Sequence, residues 1–147
     1  MYSKILVPID GSKLSEKAVK EASKLGKLTG AQVMVLHVRG AYAASPSAEG
    51  APIGSIGKRK ILEDVQAAGK PILDAAMKIA ATIGVIAKTQ LIVSTSPFEE
   101  IVKTAKKDKY DLIVMASHGR SGLGAILIGS ETQKVLTHTK VPVLVVR

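Results

Sequence analysis

The sequence predicts one α/β domain: a doubly wound parallel sheet of five strands with helices on both faces. Two observations lead to this prediction. Strand-like runs alternate with helical segments along the chain, and each strand-like run is apolar at nearly every position. A strand that is apolar throughout is buried on both faces, as parallel strands covered by helices are. A length of 147 residues suits one domain, so residues 1–147 are predicted to fold as a unit.

The first strand is predicted at residues 4–9 and ends in a turn at residues 10–12 (Asp-Gly-Ser), whose serine is a favourable helix cap. Apolar residues then recur at helical spacing, and Gly26 or Gly30 is expected to end this helix. The second strand follows at residues 33–38.

The middle of the chain begins with residues 40–57, which are mainly Gly, Ala, Ser and Pro. A loop of this length is uncommon in a compact domain unless it is mobile or serves as a lid, so we predict a flexible loop. A second helix follows, in which Pro71 predicts a kink or a break. The third strand is expected within residues 85–93.

Two helix starts and two strands are predicted in the rest of the chain. Residues 96–99 (Ser-Pro-Phe-Glu) combine a capping serine, a proline at the first helical position and a glutamate. Residues 112–116 form the fourth strand. Residues 130–133 (Ser-Glu-Thr-Gln) predict a second capping box with its serine as the N-cap of the last helix, and residues 141–146 form the fifth strand.

The composition excludes several classes of protein. The chain has no cysteine, which excludes disulfide scaffolds, thiolate metal sites and cysteine nucleophiles. Its apolar runs are far shorter than the ~20 residues that cross a bilayer, and its start does not resemble a secretion signal. We therefore predict a cytoplasmic protein without a membrane segment.

The chain is strongly basic, with 21 Lys and Arg against 12 Asp and Glu and a net charge of +9. Lysines occur singly at helical spacing in the first helix, which is typical of a solubilising coat; the alternative is attraction of a polyanion. Three tyrosines, one phenylalanine and no recognised binding motif leave little for stacking on bases. Nucleic acid is therefore the least favoured partner.

A ligand is expected at the carboxyl ends of the strands, where strand order reverses in an open sheet. The fourth strand runs into a glycine-rich loop with Gly119 and Arg120, and a second glycine step at Gly129 and Ser130 opens the last helix. Such a loop beside a helix N-terminus suits phosphate, because backbone N–H groups can approach its oxygens closely. The alternative is that the glycines only permit turns and Ser130 only caps its helix. The sequence contains neither a P-loop motif nor Gly-x-Gly-x-x-Gly.

Several segments together resemble the universal stress protein family, over essentially the whole chain. Residues 5–12 are similar to the family's opening signature, and residues 36–38 (Leu-His-Val) to the end of its second strand. Residues 111–122 resemble the fourth strand and its loop, and residues 130–146 resemble the last helix and strand. The resemblance implies the strand order 3-2-1-4-5, which brings the ends of strands one and four side by side.

The ATP-binding branch of that family carries the motif Gly-x2-Gly-x9-Gly-Ser/Thr. In this sequence Gly119, Gly129 and Ser130 match the last three positions, whereas the first position is Ala116. Alanine fits this position if its backbone φ is negative, whereas a need for positive φ or for the tightest approach of the ligand would lower nucleotide affinity.

The resemblance also implies a binding site for ATP with Mg2+. Asp10 and the backbone near Val38 would hold the adenosine, and Asp10 is also a candidate metal ligand. From the residues alone, Asp10 can equally be a turn or cap residue, and His37 is interpreted as a packed strand histidine. The other implied residues are those of the base pocket, Pro8 and Ile9, and those around the phosphates, Ala116, His118, Gly119, Arg120, Gly129, Ser130, Glu131 and Thr132.

We therefore expect an ATP-binding stress-response or regulatory protein that uses the nucleotide as a ligand or switch. The alternative is a member of the family without nucleotide that acts through protein contacts, and Ala116 favours it. Catalysis has weak support, because no carboxylate pair or Ser-His-Asp arrangement can be assembled, which leaves at most slow ATP hydrolysis. The apolar fifth strand, Val141 to Val146, would lie at the sheet edge; in similar proteins this strand pairs with its copy, which implies a homodimer.

Overall fold

Strands and helices alternate throughout residues 1–40, 55–119 and 128–147, which are the parts of the chain that the structure, a computed structural model, describes. The elements are β1 (Lys4–Ile9), α1 (Lys13–Thr29), β2 (Gln32–Arg39), α2 (Ser55–Ile83), β3 (Lys88–Val93), α3 (Pro97–Lys107), β4 (Leu112–Ala116), α4 (Ser130–His138) and β5 (Val143–Val146).

The five strands form one sheet in the order β3-β2-β1-β4-β5, and every neighbouring pair is parallel. The predicted sheet and strand order are confirmed. β1 is central, because Ile5 pairs with Val33 of β2 on one side and with Leu112 of β4 on the other. The chain moves outward from β1 to β2 and β3 and then returns to β4, so the carboxyl ends of β1 and β4 flank the point where strand order reverses.

Alternate side chains of β1 enter two separate apolar cores, one on each face of the sheet. Ile5 and Val7 are fully buried in the core that includes Ala18 of α1 and residues of α2. Leu6 is fully buried in the other core, with Val135 of α4 and residues of α3. Helices therefore cover both faces, which explains why the strands are apolar at consecutive positions.

Helix α1 begins and ends where the sequence predicts. Ser12 caps it, since its Oγ accepts a hydrogen bond from the Ser15 N–H at 3.1 Å, and Gly30 ends it in the left-handed conformation with φ of 74°. Gly26 lies inside the helix, where a Cβ atom would stand only 2.7 Å from Cγ2 of Val33. Gly26 thus allows the helix to pack closely on the sheet.

Helix α2 runs without a break through Pro71, so the predicted break is wrong. The proline removes one backbone hydrogen bond, but both halves of the helix pack on the sheet: a Cβ atom on Gly69, before the proline, would stand 2.9 Å from Cδ1 of Leu91 in β3, and Leu73, after it, is buried in the core with residues of β1. Of the loop predicted at residues 40–57, residues 55–57 belong to α2 and residues 41–54 lie outside the described residues.

Two predicted strands are shorter than expected. β3 begins at Lys88 rather than at residue 85. β5 begins at Val143, because the Val141 N–H donates to Oγ1 of Thr139 at 3.1 Å and Pro142 has no N–H to donate.

At the amino ends of the strands, Asp111 fastens β1 to the segment before β4. Its carboxylate accepts hydrogen bonds from the Ser3 N–H at 2.8 Å, from Ser3 Oγ at 2.6 Å and from the Lys4 N–H at 2.9 Å. Desolvation raises the pKa of this carboxyl, but the hydrogen bonds outweigh that effect and hold the pKa below its ordinary value of 3.8. Asp111 therefore stabilises the fold in its charged form.

We predict that Asp111→Asn lowers the free energy of unfolding by about 1 kcal/mol at neutral pH, a modest value because the carboxylate is partly exposed to solvent. Because the folded-state pKa is depressed, the wild-type advantage is complete above the unfolded-state pKa and is lost as the pH falls through the folded-state pKa. Urea unfolding of both proteins at neutral and acidic pH measures the difference. A stability difference that is the same at every pH would contradict this prediction.

Candidate functional site

The loops after β1 and β4 meet at the contact between Asp10 and Gly119. Asp10 follows β1, and its Oδ1 accepts a hydrogen bond from the Ser12 N–H at 3.0 Å. Gly119 lies against the same carboxylate, because a Cβ atom on Gly119 would overlap with Asp10 Oδ2. Any other residue at position 119 would have to displace the carboxylate, so glycine keeps Asp10 directly beside the backbone of the loop after β4.

A second close approach joins the start of α4 to the end of β4. The Gly129 N–H donates to the Ser117 carbonyl at 2.6 Å, and a Cβ atom on Gly129 would stand 3.0 Å from Cα of His118. Buried Thr132 donates from Oγ1 to the Ala116 carbonyl at 2.8 Å. These contacts hold the first turn of α4 against the end of β4, within the same short segment that leads to Gly119.

Among residues 1–40, 55–119 and 128–147, no side chain caps the amino terminus of α4. Gly129 occupies the N-cap position and Ser130 is the first helical residue, so the predicted capping role of Ser130 is wrong. The first N–H groups of a helix have no partner inside the helix, and the helix dipole adds partial positive charge there. Within the described residues no side chain caps this turn, so its N–H groups are suited to an anionic ligand.

The carboxylate of Glu131 caps a different helix. Its Oε2 accepts a hydrogen bond from the Phe98 N–H at the start of α3, at 3.0 Å, and its Oε1 lies 3.0 Å from Nζ of Lys134. Ser96 stands at the N-cap position of α3, as predicted, but its side chain makes no capping hydrogen bond. Glu131 therefore supplies from α4 the cap that the sequence assigned to Ser96.

The residues predicted to hold adenosine lie at the carboxyl ends of β1 and β2. Pro8 and Ile9 are buried, and Val38 is partly buried against the core beneath α3 and α4. His37 is 4% exposed, and its Nδ1–H donates to the Ile9 carbonyl at 2.8 Å. His37 is therefore a packed, hydrogen-bonded strand histidine, as predicted, and it holds the backbone immediately before Asp10.

The structure brings Asp10, Gly119 and Gly129 to the same end of the sheet, whereas Arg120 lies outside the described residues. Ala116 is the last residue of β4 and does not have a positive φ, so its backbone does not require glycine. Buried Ser117 was not among the predicted site residues, although its backbone contacts the start of α4. A single serine after a strand carries no sequence signal for that role.

Acidic and histidine side chains do not form a metal cage in the described parts of the chain. No group of three or more such residues there could hold an ion. Asp10 offers one carboxylate, whereas Mg2+ prefers six oxygen ligands and usually keeps several waters. Within the described ranges, none of the helices is both long and apolar enough to span a bilayer.

The strand order, the two helical layers and the glycine contacts at the reversal point define a doubly wound α/β domain. The universal stress protein family model matches residues 1–147. Universal stress protein YxiE of Bacillus subtilis is 38% identical over 151 residues, covering 100% of both chains. Universal stress protein MJ0531 of Methanocaldococcus jannaschii is 36% identical over 147 residues, covering 100% of this chain and 83% of that protein. The chain belongs to the universal stress protein family.

Solved structures agree with this assignment. The structure of MJ0577 from Methanocaldococcus jannaschii superposes with a TM-score of 0.80 at 32% identity, over 99% of this chain and 96% of that one. A universal stress protein in complex with cAMP gives a TM-score of 0.71 at 24% identity, over 99% and 97% of the two chains. One from Archaeoglobus fulgidus in complex with dAMP gives 0.64 at 20% identity, over 99% and 98%. The last two are similar to this chain in fold.

We predict that Glu131→Ala lowers the free energy of unfolding by about 1 kcal/mol, because α3 loses its N-terminal cap. Lys134→Ala is the matched control, since it removes the ion pair and the contact of Nζ with the Phe98 ring but leaves the cap, and it should lower stability by about 0.5 kcal/mol or less. Urea unfolding of both variants separates the two effects. Equal losses in the two variants would show that the cap contributes nothing.

Proposed function

We propose that this protein is a cytoplasmic stress-response or regulatory protein that binds ATP and uses the nucleotide as a ligand or switch. The observation that carries the proposal is the meeting of three features at one sheet end: the Asp10 carboxylate, the close approach of Gly119 and the uncapped start of α4. A nucleotide needs an acceptor for its ribose hydroxyls and donors for its phosphate oxygens. This end of the sheet has both.

The phosphates are proposed to bind at the first turn of α4. Its backbone N–H groups and the helix dipole favour anions, and Gly119 and Gly129 let phosphate oxygens approach the main chain closely. The Glu131 carboxylate and the Thr132 hydroxyl already bind Phe98 and the Ala116 carbonyl. We therefore assign Glu131 and Thr132 a contribution through their backbone N–H groups rather than through their side chains.

The adenosine is proposed to lie across the ends of β1 and β2. Asp10 would accept hydrogen bonds from ribose hydroxyls, while Pro8, Ile9 and the backbone near Val38 would contact the base. Two proteins of similar fold were solved in complex with cAMP and with dAMP, which are adenine nucleotides. At 24% and 20% identity they support the fold alone, so the residue assignment rests on the contacts in this chain.

Mg2+ is proposed to accompany the phosphates rather than to occupy a site of its own. Asp10 is the predicted ligand, and its Oδ1 already accepts the Ser12 N–H. A magnesium ion bound in this way would take most of its oxygen ligands from the phosphates and from water.

Ala116 replaces the first glycine of the ATP-binding motif and therefore favours the alternative, a family member that binds no nucleotide. Its backbone lies in β4 with a negative φ, and its carbonyl accepts the Thr132 hydroxyl. The alanine methyl group therefore removes no backbone donor from the proposed phosphate site. The backbone condition for nucleotide binding is therefore met at Ala116, and the effect of its methyl group on ligand approach is an outcome of the test.

The proposal predicts that Gly119→Ala weakens ATP binding by about tenfold or more, equivalent to about 1.4 kcal/mol, because the added Cβ must displace the Asp10 carboxylate. Isothermal titration with ATP, ADP and AMP measures the affinity. Ala116→Gly is the matched control: it changes one methyl group three residues earlier and should bind ATP at least as tightly as the wild type. Mass spectrometry of small molecules released by denaturing the purified protein gives an independent measurement.

Two results would count against the proposal in different ways. No ATP binding by the wild type at millimolar nucleotide would contradict nucleotide binding and favour action through protein contacts. Equal ATP affinity of the wild type and Gly119→Ala would contradict the site while leaving nucleotide binding intact. The thermal unfolding of each variant without nucleotide checks that it is folded.

We also propose that the protein forms a homodimer through the free edge of β5. The Ser117 N–H donates to the Val146 carbonyl at 2.8 Å, so in this parallel register Val143 and Val145 direct their N–H and C=O groups away from β4. Leu144 is 41% exposed on a strand that is entirely apolar. None of the described strands pairs with the outer edge of β5, and an apolar edge of this kind favours pairing with a second chain.

The proposed dimer predicts that Val145→Pro gives a monomer, because proline removes an outward N–H group that an antiparallel partner would need. Val145→Thr keeps that N–H group and should remain dimeric. Light scattering coupled to gel filtration measures the molecular mass, and circular dichroism checks that each variant is folded. A wild type that is monomeric at micromolar concentration would contradict this proposal.

A further inference from the structure

The outer face of α1 carries an unbroken row of lysines. From the first residue of the helix to position 27, every exposed position is a lysine, and all other positions are buried or partly buried. The members of this row are Lys13, Lys17, Lys20, Lys24 and Lys27.

The row is straight. Its members are alternately four and three residues apart, which keeps them on one narrow stripe of the helix surface. At a rise of about 1.5 Å per residue, the stripe from the first lysine to the last is about 21 Å long.

The charge of the row is only partly neutralised by its own helix. Glu16 lies beside it with Oε2 3.5 Å from Nζ of Lys13, and Glu21 lies beside it with Oε1 2.7 Å from Nζ of Lys24. Five lysines against these two glutamates leave a net charge of +3 on α1. The three lysines that form no ion pair within the described residues are Lys17, Lys20 and Lys27.

Helix stability does not require this arrangement, although the ion pairs of Lys13 and Lys24 and the position of Lys27 in the last turn are favourable. Like charges three or four residues apart destabilise a helix by a few tenths of a kcal/mol per pair, and Lys13 stands at the positive end of the helix dipole. Packing determines only the buried residues of α1, so glutamate or glutamine would suit the exposed positions as well. The row is therefore better explained by an external anion than by stability.

The scarcity of aromatic residues, which made nucleic acid the least favoured partner in the sequence analysis, weighs against stacking on bases and not against contact with phosphates. We propose that the lysine row of α1 binds the phosphate backbone of a nucleic acid without reading its bases. A straight row fits a linear polyanion, and along one strand of a duplex successive phosphates rise by about 3.4 Å, so the row spans about six of them. Helix α1 contains no aromatic, Asn, Gln or Arg residue, the side chains that most often read or stack on bases. Contact would therefore be limited to the backbone.

A membrane surface is the main competing polyanion. A helix that binds an anionic membrane buries an apolar face among the lipids. The apolar residues of α1, such as Ala18, Val19 and Ala22, are instead fully buried in the core of the protein. This favours a nucleic acid over a membrane.

The test is fluorescence anisotropy of a labelled duplex of arbitrary sequence, titrated with the full chain at several salt concentrations. The triple variant Lys17→Ala/Lys20→Ala/Lys27→Ala should bind about tenfold or more weakly at low salt and should reduce the slope of log K against log salt by about 2.7, or 0.9 per lost phosphate contact. The matched control removes the same charge from exposed lysines of α2 and α3, in the variant Lys78→Ala/Lys106→Ala/Lys107→Ala. It should change the slope much less.

Equal losses in the two triple variants would overturn the proposal, because general attraction by the net charge would then explain binding. Failure of the wild type to bind the duplex at low salt would overturn it too. So would tighter binding to phosphatidylglycerol vesicles than to the duplex. ATP affinity of the first triple variant should equal that of the wild type, because the proposed nucleotide site contains no lysine of the row; nucleotide binding and duplex binding can therefore fail independently.

Discussion

The contact between Asp10 and Gly119 is the constraint on which the proposed site depends. It arises from the position of β1 at the centre of the sheet, with β2 on one side and β4 on the other. The connections after β1 and β4 leave this end of the sheet on opposite faces, because α1 packs in one core and α4 in the other. Such a divergence opens a crevice at the strand ends, and the lack of a side chain at position 119 lets both loops share it.

Ser117 links this crevice to the edge of the sheet through its backbone. Its N–H donates to the Val146 carbonyl at 2.8 Å, and its carbonyl accepts the Gly129 N–H at 2.6 Å. The end of β5 and the first turn of α4 are therefore held by one residue. A shift of α4 on binding an anion would act directly on the strand through which we propose dimerisation.

The fold could be predicted from the sequence because its main determinants are local. A strand buried on both faces is a continuous apolar run, and the serine and glycine that begin and end α1 lie beside it in the chain. The strand order needed the resemblance to a family, since apolar runs do not specify their neighbours. Of the kink or break predicted at Pro71, the break is wrong for a related reason: packing of α2 on the sheet, which is not visible in a local pattern, outweighs the loss of one hydrogen bond.

The site was predicted less completely, because its contacts join distant parts of the chain. Capping rules assigned Ser96 and Ser130 to their own helices, whereas α3 is capped by Glu131, 33 residues away, and α4 keeps an open start. Both differences favour an anion at the start of α4. The Glu131 carboxylate is bound to the Phe98 N–H of α3, and the first N–H groups of α4 stay available to a phosphate.

The buried and the exposed residues of α1 are determined by different constraints. On the inner face the fold dictates the residue, since Gly26 meets Val33 and fully buried Ala18 leaves no room for a larger side chain without repacking. On the outer face, packing does not determine which residues occur, and helix stability would favour a mixture of positive and negative side chains. The five lysines at the exposed positions from 13 to 27 therefore carry information that the fold does not need. Gly119 is a second position that packing does not determine, because it is exposed and lies beyond the end of β4. Its lack of a side chain lets the Asp10 carboxylate lie directly against the backbone of the loop.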